Sequence, residues 1–195
     1  MNRRTHLLVF ALVAATFISH AAAAPLPIDK NHSSVAFHVP IMDGMSKVHG
    51  KFTDFDIQLE YNDADVSKSL VAATIKVASV DTGIKDRDDD LRSDSFFDIP
   101  KYPDITFKSS HVEKQGDHLV ATGTLTMHGV SHEIALPVKS SGAFTDPKTG
   151  KQVQGFVANI TLNRREYGIN WTHSVMANFV GDNVEVELEI LTKMH

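Results

Sequence analysis

Cysteine is absent from this 195-residue chain. That excludes disulfide cross-links, thiolate zinc sites and a thiol nucleophile. A basic excess is absent too: 19 Lys and Arg stand against 24 Asp and Glu, a formal charge of −5. Nucleic-acid binding is carried by lysine and arginine on phosphate, so a mildly acidic chain with scattered cations points away from it. Neither a G-x-S-x-G elbow nor an H-E-x-x-H motif occurs, which removes two sequence signatures of hydrolysis. Ser131-His132-Glu133 cannot act as a relay, because adjacent strand residues point to opposite faces. His128 and His132 are the closest histidine pair after the N-terminal segment, but no third ligand accompanies them and a metal site is not expected. The acids of Asp86 to Asp90 lack the spacing and central glycine of a calcium loop.

Long apolar runs are confined to the N-terminus. Arg3 and Arg4 precede apolar Leu7 to Ile18 and small Ala21 to Ala24, the layout of a secretory signal peptide over residues 1–23. The run falls short of the roughly 20 residues that a bilayer span needs. The segment carries two of the basic residues and no acid, so residues 24–195 make a 172-residue exported domain of net charge −7. No repeat, low-complexity tract or linker divides it.

Beyond Ile28 the dominant period is two. Val35, Phe37 and Val39 alternate with polar or small residues, as on a strand with one buried face. Val48 to Tyr61 carries apolar residues on one parity up to Phe52 and on the other from Phe55, which predicts a bulge or sharp bend near Thr53 and Asp54. Further strands are expected around Val71 to Val77, Ile105 to Val112, Leu119 to Met127, His132 to Val138, Phe156 to Leu162 and Val184 to Ile190. Tight turns at Gly116-Asp117, His128-Gly129 and Asp146-Pro147 to Gly150 separate them. The prediction is an all-β fold, an eight-stranded antiparallel sandwich or barrel. Gly50, Gly123 and Gly155 inside strands, with small Ala73, Ala121 and Ala158 on the presumed inner face, favour the barrel.

One long connection breaks the pattern. Between Ser79 and Phe107 the chain crosses a charged and aromatic segment with Leu91, Phe96 and Phe97 as apolar anchors and Arg87 and Arg92 among five aspartates. A short helical segment around residues 84–100 is expected there, capping one end of the β core or controlling access to a cavity. Phe37, Phe52, Ile75, Phe107, Leu125, Phe156, Ile160, Trp171, Val186 and Leu188 are expected to point inward. They make either an ordinary packed core or the wall of a ligand channel. Arg87, Arg92 and Arg164 are candidates for contact with a ligand headgroup, or members of structural ion pairs.

The motifs D-x-x-H-S-x-V-x-F (Asp29 to Phe37), G-x-F (Gly50 to Phe52), S-V-D-T-G (Ser79 to Gly83), R-D-x-x-L-R-S-x-x-F-F-D (Arg87 to Asp98), Y-P-x-I-x-F (Tyr102 to Phe107), L-T-x-H-G-V-S (Leu125 to Ser131) and N-R-x-x-Y-G-I (Asn163 to Ile169) occur in one order. In this the chain resembles the YceI-like family. The resemblance implies a lipocalin-like barrel in the periplasm, an elongated apolar channel that binds a long-chain isoprenoid or similar amphiphilic lipid, and neither a catalytic step nor a cofactor. Two departures from the family pattern stand at Met42-Asp43 and at Asp90, where histidines are common. The competing readings are an extracytoplasmic hydrolase or isomerase acting on a small amphiphile, and a stress or interaction protein with a filled core. Transient contact with a membrane or membrane protein, and a homodimer, stay open.

Overall fold

The computed structural model describes residues 25–193. The expected signal peptide therefore lies outside the described residues. Ten strands form one antiparallel sheet: β1 (Ser34–Ile41), β2 (Ser46–Phe52), β3 (Phe55–Glu60), β4 (Leu70–Lys76), β5 (Val80–Asp81), β6 (Asp104–Gln115), β7 (His118–Met127), β8 (Val130–Thr145), β9 (Gln152–Asn163) and β10 (Asn183–Lys193). Their order is β3-β4-β6-β7-β8-β9-β10-β1-β2-β5.

The two ends of that order are joined by the chain itself. β2 runs into β3 through Thr53-Asp54, and β4 runs into β5 through a 3-10 turn at Val77–Ser79. The two bends are tied together, with Thr53 N–H donating to Ser79 O at 3.1 Å and Lys76 N–H donating to Asp54 O at 2.9 Å. One antiparallel pair thus turns a corner from one edge of the sheet to the other, and the sheet wraps on itself. The expected count of eight becomes ten because this corner divides the expected strand Val48 to Tyr61 into β2 and β3, and adds β5 beyond the end of the expected strand Val71 to Val77. The change of apolar parity at Thr53-Asp54 marks the corner itself.

The strand glycines act in different ways. Gly123 sits opposite the register shift between Ser109 and His111, where a Cβ would stand 2.4 Å from Lys108 O. That is the expected bend. Gly50 pairs with Phe37, and a Cβ there would meet the Phe37 ring at 2.2 Å, so this glycine makes room for an inward ring.

The long connection contains α1 (Lys85–Arg92). Thr82 clamps it to β5: Asp88 accepts from Thr82 N–H at 2.8 Å and from its hydroxyl at 2.5 Å, and Arg87 Nε donates to that hydroxyl at 2.8 Å. Arg92 donates to Ala78 O at 3.0 Å and Val80 O at 2.6 Å. So fixed, the connection lays Leu91, Phe96 and Phe97 against the core cluster. The segment between β9 and β10 is pinned by Arg164, which is 4% exposed and donates to the carbonyls of Ile169, Val180 and Gly181 and to Asp182.

Candidate functional site

The wrapped sheet encloses a channel of about 260 Å³. Of the ten residues expected to point inward, all but Trp171 line it. Among the described residues, only Tyr61, Ser69 and Arg164 bring polar side-chain groups to its wall, and each is engaged elsewhere. The Tyr61 hydroxyl donates to Asp63 at 3.0 Å, and burial, followed by that hydrogen bond and then the Asp63 charge, pushes its pKa up, so it stays neutral. Ser69 Oγ accepts from Asn62 N–H at 3.0 Å. Burial pulls the Arg164 guanidinium below its ordinary value while Asp182, at 2.9 Å, opposes the shift. Four of its five donor hydrogens are used by the fold. An ionised ligand group inside this channel would lose its hydration without gaining a partner, which costs several kcal/mol. An apolar chain carries no such cost.

A second cavity of about 480 Å³ adjoins the first. The two share Phe37, Val39, Leu91, Phe96 and Val180 in their walls, so the second is a vestibule set beside the apolar channel. Trp171 belongs to the vestibule, stacked on Phe96 with ring centroids 5.4 Å apart. Phe179 closes the same aromatic group, 6.4 Å from Trp171 and 4.8 Å from His173. The polar residues of the vestibule are Arg87, Asp90 and Ser95.

Among the three arginines, only Arg87 lines the vestibule, and two of its nitrogens are already committed to Thr82. Arg92 lines neither cavity and spends its guanidinium on Ala78, Val80 and Asp89. Arg164 touches the channel wall as a structural pin. The vestibule also gathers the two departures noted in the sequence, Met42 and Asp90. Three histidines have structural work: His32 Nδ1 lies 3.1 Å from Asp29 Oδ2, His128 Nδ1 3.1 Å from Tyr167 O, and His132 Nε2 3.0 Å from Glu166 O.

Sequence reasoning missed the vestibule as a separate space, because residues from β1, α1 and the 164–182 segment meet there only after folding. It also left out lining residues such as Val112, Leu119 and Leu136. Strand parity would have found Leu119 and Leu136, which keep step with Ala121 and Ile134, whereas Val112 lies beyond the register shift at Ser109/His111 and is out of step with Ile105 and Phe107.

Comparison with known proteins agrees with this architecture. The BcnA protein of Burkholderia cenocepacia superimposes with a TM-score of 0.74 at 24% identity, over 84% of this chain and 98% of its own. The YCEI protein of Campylobacter jejuni gives a TM-score of 0.68 at 31% identity, over 77% of this chain and 87% of its own. A polyisoprenoid binding domain from Saccharophagus degradans gives 0.61 at 17% identity, over 89% and 99%. The protein YceI of Salmonella arizonae is 37% identical over 169 residues, which are 85% of this chain and 87% of that one. The YceI-like domain model matches residues 26–191, and the chain belongs to the YceI-like family.

Proposed function

We propose that the protein is a non-catalytic periplasmic carrier or scavenger that holds the apolar chain of a long isoprenoid, or a similar amphiphilic lipid, in its channel. The observation that carries this reading is the channel wall, apolar apart from three polar side chains that the fold already uses. The fold of the polyisoprenoid binding domain from Saccharophagus degradans supports it by likeness. Periplasmic location rests on the layout of residues 1–23.

In this reading the chain fills the channel and the headgroup stays in the vestibule. Asp90 beside a half-engaged Arg87 favours an unionised polar headgroup over a phosphate, because a nearby carboxylate repels an anion. The residues would contribute area and shape without bond chemistry: each buried CH₂ of the ligand adds about 0.8 kcal/mol gross. Affinity should then rise with chain length and respond weakly to headgroup. The test is a titration with isoprenoid alcohols of graded length. A steady tightening from short to long supports the carrier reading, and equal binding of all lengths overturns it.

A further inference from the structure

Next to the vestibule the surface is unusually apolar. Met42 is 43% exposed, Met45 79%, Val175 89% and Met176 45%. The β1–β2 tip and the 173–180 segment that carry these residues are bound to each other: Met42 N–H donates to Phe179 O at 2.9 Å, Asp43 N–H donates to Asn178 O at 3.0 Å, and Asn178 Nδ2 donates to Asp43 Oδ1 at 3.2 Å. Met42 and Phe179 also line the vestibule, so the patch is its rim.

Two further features argue that the rim is built. The tip holds Met42 at φ 53° and Asp43 at φ 58°, ahead of Gly44 at φ 86°. Non-glycine residues in that region are strained, and such strain concentrates at binding and switching sites. The cations around the rim are also spoken for. Lys47 is paired with Glu185 at 2.7 Å, Arg165 with Asp182 at 2.6 Å, and Arg87 is bonded to Thr82. An acidic surface therefore finds little to bind here. The exposed area of the four side chains is on the order of 500 Å², below the roughly 800 Å² per partner of a stable protein interface.

Resting on the carrier reading, we infer that this rim docks on a lipid bilayer, with Met42, Met45, Val175 and Met176 entering its apolar layer. Docked so, the vestibule faces the membrane, and an isoprenoid chain passes between bilayer and channel without crossing water. The contact is apolar, not electrostatic.

The test is flotation of the purified protein with vesicles of phosphatidylcholine alone. The protein should float with them, and about 0.5 M salt should not release it, since screening acts on charge and not on apolar burial. The double variant Met45→Asp/Val175→Asp changes two residues that line neither cavity. It should bind vesicles at least about tenfold more weakly while taking up an isoprenoid alcohol presented without vesicles as the parent does. No flotation of the parent overturns the inference, as does equal flotation of the variant, or binding confined to anionic vesicles and lost in salt. A dimer in sedimentation that the double variant splits would also overturn it in favour of a second copy. The carrier reading fails separately, when the vesicle-free assay finds no uptake.

Discussion

Ala121 is where the hollowness of the channel can be tested with one substitution. It is 3% exposed, pairs with Val112 of β6 and Leu136 of β8, and lines the channel on the side of the β6–β7 turn, away from the vestibule. Ala121→Phe adds a ring of roughly 100 Å³ to a channel of about 260 Å³. In a packed core such an insertion costs about 1–3 kcal/mol. In an empty channel it fills space worth up to about 24 cal/mol per Å³, or about 2 kcal/mol in the stabilising direction. At this chain length each kcal/mol moves Tm by roughly 2–4 °C. The ligand-free variant should therefore melt a few degrees above the parent.

Binding should move the other way. Shutting out one isoprene unit of five carbons forfeits about 4 kcal/mol gross at about 0.8 kcal/mol per carbon. With ordering costs taking half of that, about 2 kcal/mol or roughly 30-fold in affinity remains. Trp171 is the single tryptophan and lies in the vestibule, so its fluorescence follows a titration with isoprenoid alcohols. Short alcohols should bind parent and variant alike, and long ones roughly 30-fold more weakly to the variant. A lowered Tm with unchanged chain-length dependence would refute the reasoning, because it would mean a filled core.

Three further outcomes follow from the fold. Gly50→Ala places a Cβ 2.2 Å from the Phe37 ring, and should lose about 2–3 kcal/mol in urea unfolding, part of which Phe37→Leu restores in the double variant. Arg164→Lys should lose about 3 kcal/mol, because an ammonium cannot reproduce the forked donation to three carbonyls and Asp182; stability equal to the parent would contradict the structural role. The Asp29 carboxyl is held below its ordinary value of 3.8, first by the His32 hydrogen bond and then by Lys193, against an opposing effect of burial. A lowered folded value means that this contribution is present above the ordinary value and is lost as pH falls through the lowered one. Asp29→Asn should therefore flatten the acid limb of a stability profile between about pH 5 and about pH 2.

Much of the fold was legible because strand faces announce themselves. The parity change between Phe52 and Phe55 located the corner, and the apolar anchors Leu91, Phe96 and Phe97 located the cap. What periodicity cannot tell is whether inward residues touch one another or surround space. Phe107 and Leu125 look the same in sequence either way. The two readings of the arginines, headgroup contact or structural ion pair, stayed open for a related reason. Arg92 and Arg164 donate to backbone carbonyls, and a carbonyl leaves no mark in the sequence. Trp171 shares the apolar character of the channel residues but comes from an irregular segment, where no period assigns a side. Gly50 was recognised as exceptional, and only the Phe37 ring across the ladder explains why.

The central claim is that the channel holds a long apolar chain, and the most direct measurement is native mass spectrometry of the protein purified from its own envelope fraction, followed by organic extraction. The account predicts a stoichiometric adduct that extracts as a long-chain isoprenoid or closely similar lipid. A ligand-free mass that stays unchanged after incubation with long isoprenoids would contradict it.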